Sequence, residues 1–208
     1  MDPRSLQILD AAKKVFIQKG YGAATLKDII EETGMSRGWI YLYYQTKEEI
    51  FEDLLEYQDR EYERYLSELV AAKPSIWDVV ETLYSEQLEQ LQRSPDGGLM
   101  PAFYEYSLVG WRDSARRDLL SRRYEQGIAR FAALIRLGID RGEFSPRLDV
   151  DNFARLAASY QEGILTHSIT IGIRQANAPM QIEALLSYFK TLLRPGFGGD
   201  PAQREDGP

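Results

Sequence analysis

The sequence predicts an all-α fold, and three features of it support that prediction. Apolar residues recur three or four positions apart along almost every segment, which is the spacing of one face of an α-helix. Residues 25–47 contain three helix-start signals and one glycine turn. No segment shows the alternation of apolar and polar residues that is typical of a β-strand. We therefore expect about nine helices and no sheet.

The composition is that of an ordinary globular protein. The 208 residues are 44% hydrophobic and 27% charged, enough for one or two domains with a real core. No apolar run approaches the roughly 20 residues of a membrane helix, and the start MDPRSLQ has no signal-peptide hydrophobic region. The chain has no cysteine, so neither a disulfide nor a thiolate metal site is available to it. These features favour the cytoplasm and argue against a membrane partner.

The charge is distributed unevenly along the chain. The net charge of −7 argues against indiscriminate nucleic-acid binding. Residues 1–50, however, carry seven basic and seven acidic side chains, whereas residues 51–208 carry 18 basic and 25 acidic ones. The N-terminal segment therefore has no net charge, and the acidic excess lies in the rest of the chain. Phosphate binding there would depend on a few placed cations and on helix N-termini.

The first two helices have clear boundary signals. Helix 1 is predicted over residues 5–19, where apolar residues form one face, and Gly20 ends it. Thr25 is placed to cap a second helix, and Asp28 favours the same positive helix end. Gly34 lies where that helix stops and where the backbone often turns left-handed.

The third helix is short and has an unusual outer face. Ser36 is predicted to cap it, and Ile40 and Tyr44 should point inward. The residues left facing outward are Arg37, Gly38, Trp39, Tyr41 and Tyr43. A cluster of aromatic residues can also be plain core, but a helix this short cannot bury every side. Aromatics beside an arginine suit a surface that meets phosphates and bases, so the pattern predicts a helix-turn-helix.

The remaining helices follow from apolar spacing and from breakers such as Pro74 and Gly142. Thr46 and Glu49 form a capping box for the next helix, which contributes to both parts of the chain. The helices are predicted at residues 47–71, 76–92, 101–109, 112–140, about 149–176 and 179–193. From Pro195 onward a Gly/Pro-rich polar tail is predicted to be flexible.

The N-terminal residues match the pattern of a known protein family. The segment ILDAAKKVFIQKGYGAATLKDIIEETGMSRGWIYLYYQTKEEIF resembles the DNA-binding domain of the TetR family of bacterial transcriptional regulators. Family members typically show Gly-Tyr or Gly-Phe after helix 1, Gly-hydrophobe-Ser in the turn, and Lys/Arg-Gly-x-hydrophobe-Tyr in the recognition helix. Trp39, Tyr44 and Gln45 depart from the usual small residue, Phe and Pro. Residues 140–164 resemble the start of helix 8 in the family more weakly.

The resemblance and the exposure of the short helix together imply a DNA-contact set. Ser36, Tyr41 and Lys47 are expected to hold phosphates, and Arg37, Trp39 and Tyr43 to approach base edges. The full predicted set is Thr25, Ser36, Arg37, Gly38, Trp39, Tyr41, Tyr43 and Lys47. Because Trp39 departs from the family pattern, the preferred operator sequence cannot be carried over.

The resemblance also implies a domain organisation. It divides the chain into a helix-turn-helix DNA-binding domain at 1–50, a helical ligand-binding and dimerisation domain at 51–194, and a tail at 195–208. An aromatic-lined pocket for a small apolar or aromatic effector is expected in the second domain. Its candidates, chosen by composition, are Trp77, Tyr84, Phe103, Tyr106, Trp111, Phe131, Tyr160 and His167. Each of these residues could equally belong to an ordinary helical core.

A two-fold homodimer is implied in the same way, through a four-helix interface. The candidate residues are Leu156, Tyr160, Ile164, Ile171, Leu185, Leu186 and Phe189. The alternative is that these side chains face the core of their own subunit.

Two functional hypotheses remain from the sequence. The first is a DNA-binding repressor that a small molecule releases from its operator. The second is an all-helical interaction protein whose helix-turn-helix no longer binds DNA. Retention of Arg37, Gly38, Tyr41 and Lys47 favours the first. No catalytic triad, phosphate loop or metal-ligand cluster points to an enzyme or to a cofactor, and the single histidine, His167, does not change this.

Overall fold

The computed structural model describes residues 2–94 and 96–194, and these residues form helices and connecting turns without a strand. The all-α prediction is therefore confirmed. The predicted tail at 195–208 lies outside the described residues. The helical segments are α1 (Pro3–Ala23), α2 (Leu26–Thr33), α3 (Arg37–Tyr41), α4 (Lys47–Ala72), α5 (Ile76–Arg93), α6 (Met100–Val109), α7 (Ser114–Asp140), α8 (Val150–Ile171), α9 (Ile173–Ala176) and α10 (Ala178–Leu193). Among the described residues, no helix is both long enough and apolar enough to span a membrane.

The chain forms two compact units that are not contiguous in sequence. The first comprises the described part of Met1–Glu68 together with Gly97–Asp118, and the second comprises Leu69–Asp96 and the described residues from Leu119 onward. Helices α4 and α7 each contribute residues to both units. The predicted functional division at residue 50 stays a prediction.

The core of the first unit is built on α1. The apolar face predicted for that helix is buried, with Ile8, Leu9 and Ala12 fully inaccessible to solvent. An aromatic cluster continues this core: Phe51 packs edge-on against Phe16, with ring centroids 4.8 Å apart. Tyr21 and Tyr106 pack on Phe51 at 5.0 Å each. Helix α6 is thereby joined to α1 and α4.

The capping signals read from the sequence are largely present. Thr25 and Asp28 form a reciprocal capping box at the start of α2, and Gly34 ends that helix at φ 66°. Glu49 and Thr46 make the same pair of contacts at the start of α4. The side-chain cap predicted for Ser36 is wrong, because its hydroxyl makes no capping hydrogen bond to α3.

Two helix boundaries differ from the prediction because glycines interrupt the backbone. Gly20 has φ 73°, as expected for the end of helix 1, but one further turn follows it up to Ala23. The helix predicted over residues 149–176 is broken at Gly172, which has φ 92°. Glycine adopts such left-handed conformations without the steric penalty of a side chain.

A second aromatic cluster forms the core of the second unit. Phe189 packs edge-on against Phe153 at 4.8 Å and against Tyr84 at 5.7 Å. Phe131 stacks on Phe153 at 6.1 Å. Close packing extends to the turn after α7, where a Cβ on Gly138 would lie 2.3 Å from the Phe144 ring. This unit therefore holds α5, α8 and α10 together through large buried rings.

Candidate nucleic-acid interface

The short helix α3 ends at Tyr41, before the predicted end at Tyr43 or Tyr44, and two inward side chains fix it and the turn after it to the first unit. Ile40 is fully buried and Tyr44 is nearly so, as the sequence predicts. The Tyr44 hydroxyl lies 3.0 Å from Ser5 Oγ and donates to Asp53 Oδ2 at 2.9 Å. Burial raises the pKa of Tyr44 to about 12. These contacts hold a helix that is too short to be stable by itself.

The outer face of α3 is accessible. Arg37, Gly38 and Trp39 are exposed, Tyr41 is half-buried, and so is Tyr43 in the turn that follows the helix. The Arg37 guanidinium donates to the Tyr41 hydroxyl at 3.2 Å and lies 5.3 Å from the centre of that ring. The structure thus brings the predicted base-reading and phosphate-binding side chains of α3 to one face.

Two residues at the start of α1 join this face, and neither was predicted from the sequence. The Arg4 guanidinium lies 4.0 Å from the centre of the Trp39 ring. The Tyr43 hydroxyl donates to Asp2 Oδ2 at 2.6 Å, and this hydrogen bond raises the pKa of Tyr43. Helical spacing could not reveal these contacts because they join residues that are far apart in sequence.

Lys47 has a defined place at the start of α4. Its ammonium donates to the carbonyl oxygens of Tyr21 at 2.6 Å, Ala24 at 2.7 Å and Gly22 at 3.2 Å. Burial lowers the pKa of Lys47. The ammonium thus closes the C-terminal end of α1, a structural role that the sequence did not indicate. Its predicted phosphate contact stays a prediction.

The remaining predicted DNA contacts lie at helix starts. Thr25 and Ser36 are exposed immediately before α2 and α3. The Thr25 hydroxyl is engaged with Asp28, accepting its backbone N–H at 3.2 Å and donating to its carboxylate at 2.8 Å. Hydrogen bonds from Lys19 and Thr25 lower the pKa of Asp28 to about 2. Asp28 therefore stays ionised and keeps this helix start fixed.

Helix α6 and the first turn of α7 contact α1 and α4 through polar groups. The Glu105 carboxylate accepts the Gly22 N–H at 2.7 Å. The Tyr106 hydroxyl donates to Glu52 Oε1 at 2.6 Å, and Arg116 pairs with Glu48. Burial and the Glu52 carboxylate raise the pKa of Tyr106.

The predicted ligand residues are divided between the two units. Phe103, Tyr106 and Trp111 belong to the first, whereas Trp77, Tyr84, Phe131, Tyr160 and His167 belong to the second. Tyr106 is fully buried in the aromatic core of the first unit, so the structure gives it a packing role. Trp111, Tyr160 and His167 are exposed. A pocket built from this set stays a prediction.

Two surface grooves lie within single units, and no predicted ligand residue lines either of them. One, of about 390 Å³, runs along α1 and includes Gln7, Lys14 and Glu32. The other, of about 590 Å³, follows α5 and includes Asp78, Glu81 and Glu89. Within the described part of the chain, no group of His, Cys, Asp and Glu side chains could hold a metal ion.

The predicted dimer residues separate into buried and exposed sets. Ile164, Leu185 and Phe189 are buried inside their own chain, which corrects their assignment to an interface. They occupy the inward faces of α8 and α10. Tyr160 and Ile171 are exposed, and Leu156 and Leu186 are half-buried. Met180 and Tyr188, which the sequence did not single out, add exposed apolar surface on α10.

Comparison with known proteins identifies the family to which this fold and this recognition helix belong. Residues 8–54 match the family of bacterial regulatory proteins described as the tetR family. Residues 80–178 match the tetracyclin repressor-like C-terminal domain. The chain belongs to the TetR family, as its resemblance predicted, and it is a DNA-binding transcriptional regulator.

Its relatives are regulators of transcription. The uncharacterized HTH-type transcriptional regulator YfiR of Bacillus subtilis is 35% identical over 193 residues, which are 93% of each chain. The transcriptional repressor KstR2 of Mycobacterium tuberculosis is 27% identical over 73% of this chain and 74% of its own. The structure of FadR from Bacillus subtilis in complex with stearoyl-CoA covers 88% of this chain and 97% of its own, with a TM-score of 0.67 and 21% identity. This last comparison shows a shared fold.

Proposed function

We propose that this regulator is a dimeric repressor that binds operator DNA through α3 and is released by a small apolar or aromatic molecule. The observation that carries the proposal is the outward face of α3, where Arg37, Gly38 and Trp39 are exposed beside Tyr41 and Tyr43. A bacterial regulator meets its operator DNA in the cytoplasm, so the proposal places the protein there.

Gly38 is informative because nothing inside the chain requires a glycine there. A Cβ at this position would meet no atom within 4 Å, and its φ is not left-handed. Glycine is also a poorer helix former than alanine, so it brings no stability to this short helix. A partner that approaches the backbone closely explains this glycine, and a phosphate or base edge in the major groove is such a partner.

The side chains around Gly38 supply both kinds of DNA contact. Arg37 presents a planar guanidinium, which can recognise a guanine bidentately. Tyr41 and Ser36 offer hydroxyls to phosphates, and the positive N-terminal ends of α2 and α3 add backbone N–H groups. The charge of Lys47 would act on a neighbouring phosphate while its N–H groups hold the end of α1.

A dimer is supported by apolar surface on α8 and α10. Tyr160, Ile171, Met180 and Tyr188 are all more than two-fifths exposed, although they lie on helices whose opposite faces are buried. One recognition helix reads only a few base pairs. A two-fold pair reads two half-sites separated by about 34 Å or a multiple of it.

Release by a small-molecule effector is the second part of the proposal. The FadR structure holds stearoyl-CoA, and KstR2 is a repressor. If the effector lowers the affinity of the protein for operator DNA by some factor, operator DNA lowers the affinity for the effector by the same factor. That factor is typically about 5–150-fold. Titrating a DNA-releasing compound into free protein and into the complex tests this reciprocity; equal affinities would contradict it.

DNA recognition can be tested by selecting duplexes from a random library with the full-length protein. We expect an inverted repeat to be enriched. Arg37→Ala should weaken its binding by about 1–3 kcal/mol, with the loss concentrated at one base position of each half-site. Arg141→Ala, in the second unit, serves as the control with unchanged affinity. If no duplex is enriched, the alternative applies, and the chain is an interaction protein that has lost DNA binding.

A further inference from the structure

The beginning of α1 is attached to the outer face of the recognition helix at two points. The Arg4 guanidinium lies over the Trp39 ring at 4.0 Å from its centre. The Tyr43 hydroxyl donates to Asp2 Oδ2 at 2.6 Å. Arg4 and Trp39 are nevertheless both exposed, and 45% of Trp39 remains accessible. The contact therefore lies at the edge of the DNA-facing surface and not in the core.

Stacking on a ring leaves the in-plane N–H groups of an arginine able to donate, and in Arg4 the Tyr43 hydroxyl engages one side of the guanidinium while the others stay available. The guanidinium is planar, and its N–H groups point outward in the plane, away from the face that covers the indole. An arginine held in this way is preorganised for a phosphate, because less rotamer freedom is lost when it binds. The same stack restricts Trp39, whose side chain projects from a helix of five residues.

The charge pattern gives Arg4 additional weight. Residues 1–50 have no net charge, so phosphate binding depends on individually placed cations. In the first turn of α1 and in α3, the basic residues are Arg4 and Arg37. Each lies against an aromatic side chain of α3, Arg4 on Trp39 and Arg37 on Tyr41. Two arginines that each lie against an aromatic ring thus belong to this surface, Arg37 on the outer face of α3 and Arg4 at its edge.

We propose that Arg4 is a DNA-contacting residue, and that Arg4 and Trp39 act as one unit in operator recognition. Arg4 donates to a phosphate beside the half-site, and the stack holds Trp39 in the orientation in which it meets the bases. The proposal rests on the proposed DNA-binding function. It extends the DNA-contact surface from the helix-turn-helix to the start of α1.

The test uses the full-length chain and the duplex that it enriches from a random library, with affinity measured by fluorescence anisotropy at several salt concentrations. Arg4→Ala should weaken binding by about 10-fold and reduce the magnitude of the salt slope by about 1. Arg4→Lys keeps the charge and loses the planar stack, so it should retain the salt slope but recover only part of the affinity. Lys13→Ala, an exposed change on the same helix, is the matched control and should alter neither quantity.

The coupling of the two residues is measured by adding Trp39→Ala and the double variant. The fold-loss of affinity in the double variant should be smaller than the product of the two single-variant losses. Either single change already breaks the stack, so the second change has less left to remove. Thermal unfolding of each variant should match that of the parent, since both side chains are exposed. Parental affinity and salt slope for Arg4→Ala would overturn the proposal, as would strictly multiplicative effects. A library that yields no enriched duplex would instead overturn the proposed function itself.

Discussion

The Lys47 ammonium lies 2.6 Å from the carbonyl oxygen of Tyr21 and 2.7 Å from that of Ala24. A side chain at the first position of α4 therefore satisfies carbonyls that the end of α1 leaves without a helical partner. The same ammonium lies 4.6 Å from the centre of the Tyr21 ring. A residue that the sequence marks for DNA binding thus also stabilises the unit that carries α3.

Lys47→Met separates these two roles. The change keeps the aliphatic stem but leaves the three carbonyls without their donor, so the free energy of unfolding should fall by about 1–3 kcal/mol. Lys27→Met, whose side chain is 83% exposed, should stay within about 0.5 kcal/mol. If the charge also acts on a phosphate, operator binding by the folded variant should show a salt slope smaller by about 1. Lower stability with an unchanged slope would assign Lys47 to structure alone.

Tyr106 and Trp111 were both predicted to line a ligand pocket, and the structure distinguishes them. Tyr106 is fully buried against Tyr21 and Phe51, whereas 56% of Trp111 is exposed. Tyr106→Ala should cost about 3–5 kcal/mol of stability through the cavity it leaves. Trp111→Ala should cost less than about 1 kcal/mol. Denaturant unfolding of the two variants measures this, and similar losses would contradict the packing role of Tyr106.

The sequence predicted the helices well because their signals are local. Capping residues and left-handed glycines act within four positions of the feature they control, and the boxes at Thr25 and Thr46 formed as expected. The inward positions of Ile40 and Tyr44 follow equally from their four-residue spacing, although α3 itself ends at Tyr41. What the hydroxyl of Ser36 does depends on finer geometry, and there the prediction failed.

The site and the cores were predicted less completely because their contacts are non-local. Neither the Arg4–Trp39 stack nor the carbonyls around Lys47 can be read from periodicity, since each joins segments more than 20 positions apart. Composition likewise cannot distinguish a pocket aromatic from a core one. Phe189 shows the same limit for the dimer: its apolar character fits an interface, but its helix turns it into its own core.

Gly20 should be intolerant of a side chain. Its φ of 73° disfavours every L-residue, and a Cβ there would lie 2.5 Å from Glu105 Oε1. Because Glu105 also accepts the Gly22 N–H, displacing its carboxylate would break that contact between α6 and α1. Gly20→Ala should therefore lower the unfolding free energy by about 1–3 kcal/mol. Gly127→Ala, in the exposed middle of α7 with open space around it, should instead raise it by about 0.5–1 kcal/mol.

Buried tyrosines should make the protein sensitive to alkaline pH. Burial raises the pKa of Tyr44 and of Tyr21 to about 12, from about 10 in an unfolded chain. A group with a raised folded-state pKa contributes stability below the unfolded value, and this contribution is lost as pH rises from 10 to 12. Tyr44→Phe should be less stable than the parent at pH 8 by about 1 kcal/mol, because hydrogen bonds to Ser5 and Asp53 are lost. At pH 11 this difference in unfolding free energy between the parent and Tyr44→Phe should shrink or reverse.

The control for this titration is Tyr160→Phe, because the Tyr160 ring is half exposed. Urea unfolding at pH 8, 9.5 and 11 gives the free energies. If the gap between Tyr44→Phe and the parent is the same at every pH, the buried Tyr44 hydroxyl does not contribute to the alkaline loss of stability.

The exposed apolar residues on α8 and α10 predict a dimer that a single charge can disrupt. Ile171 is 56% exposed, and Tyr188 is 43% exposed with its ring packed edge-on against Tyr160 at 6.3 Å. Ile171→Glu would place a carboxylate in the proposed interface, where desolvation of an unpaired charge is costly. Sedimentation should then show a monomer at micromolar concentration. Binding to the inverted repeat should fall strongly, whereas binding to one isolated half-site should be unchanged, since α3 is not altered.

The control is Leu108→Glu, at a 71% exposed position of the first unit, which should remain dimeric. A parent protein that sediments as a monomer and still binds the inverted repeat fully would refute the dimer.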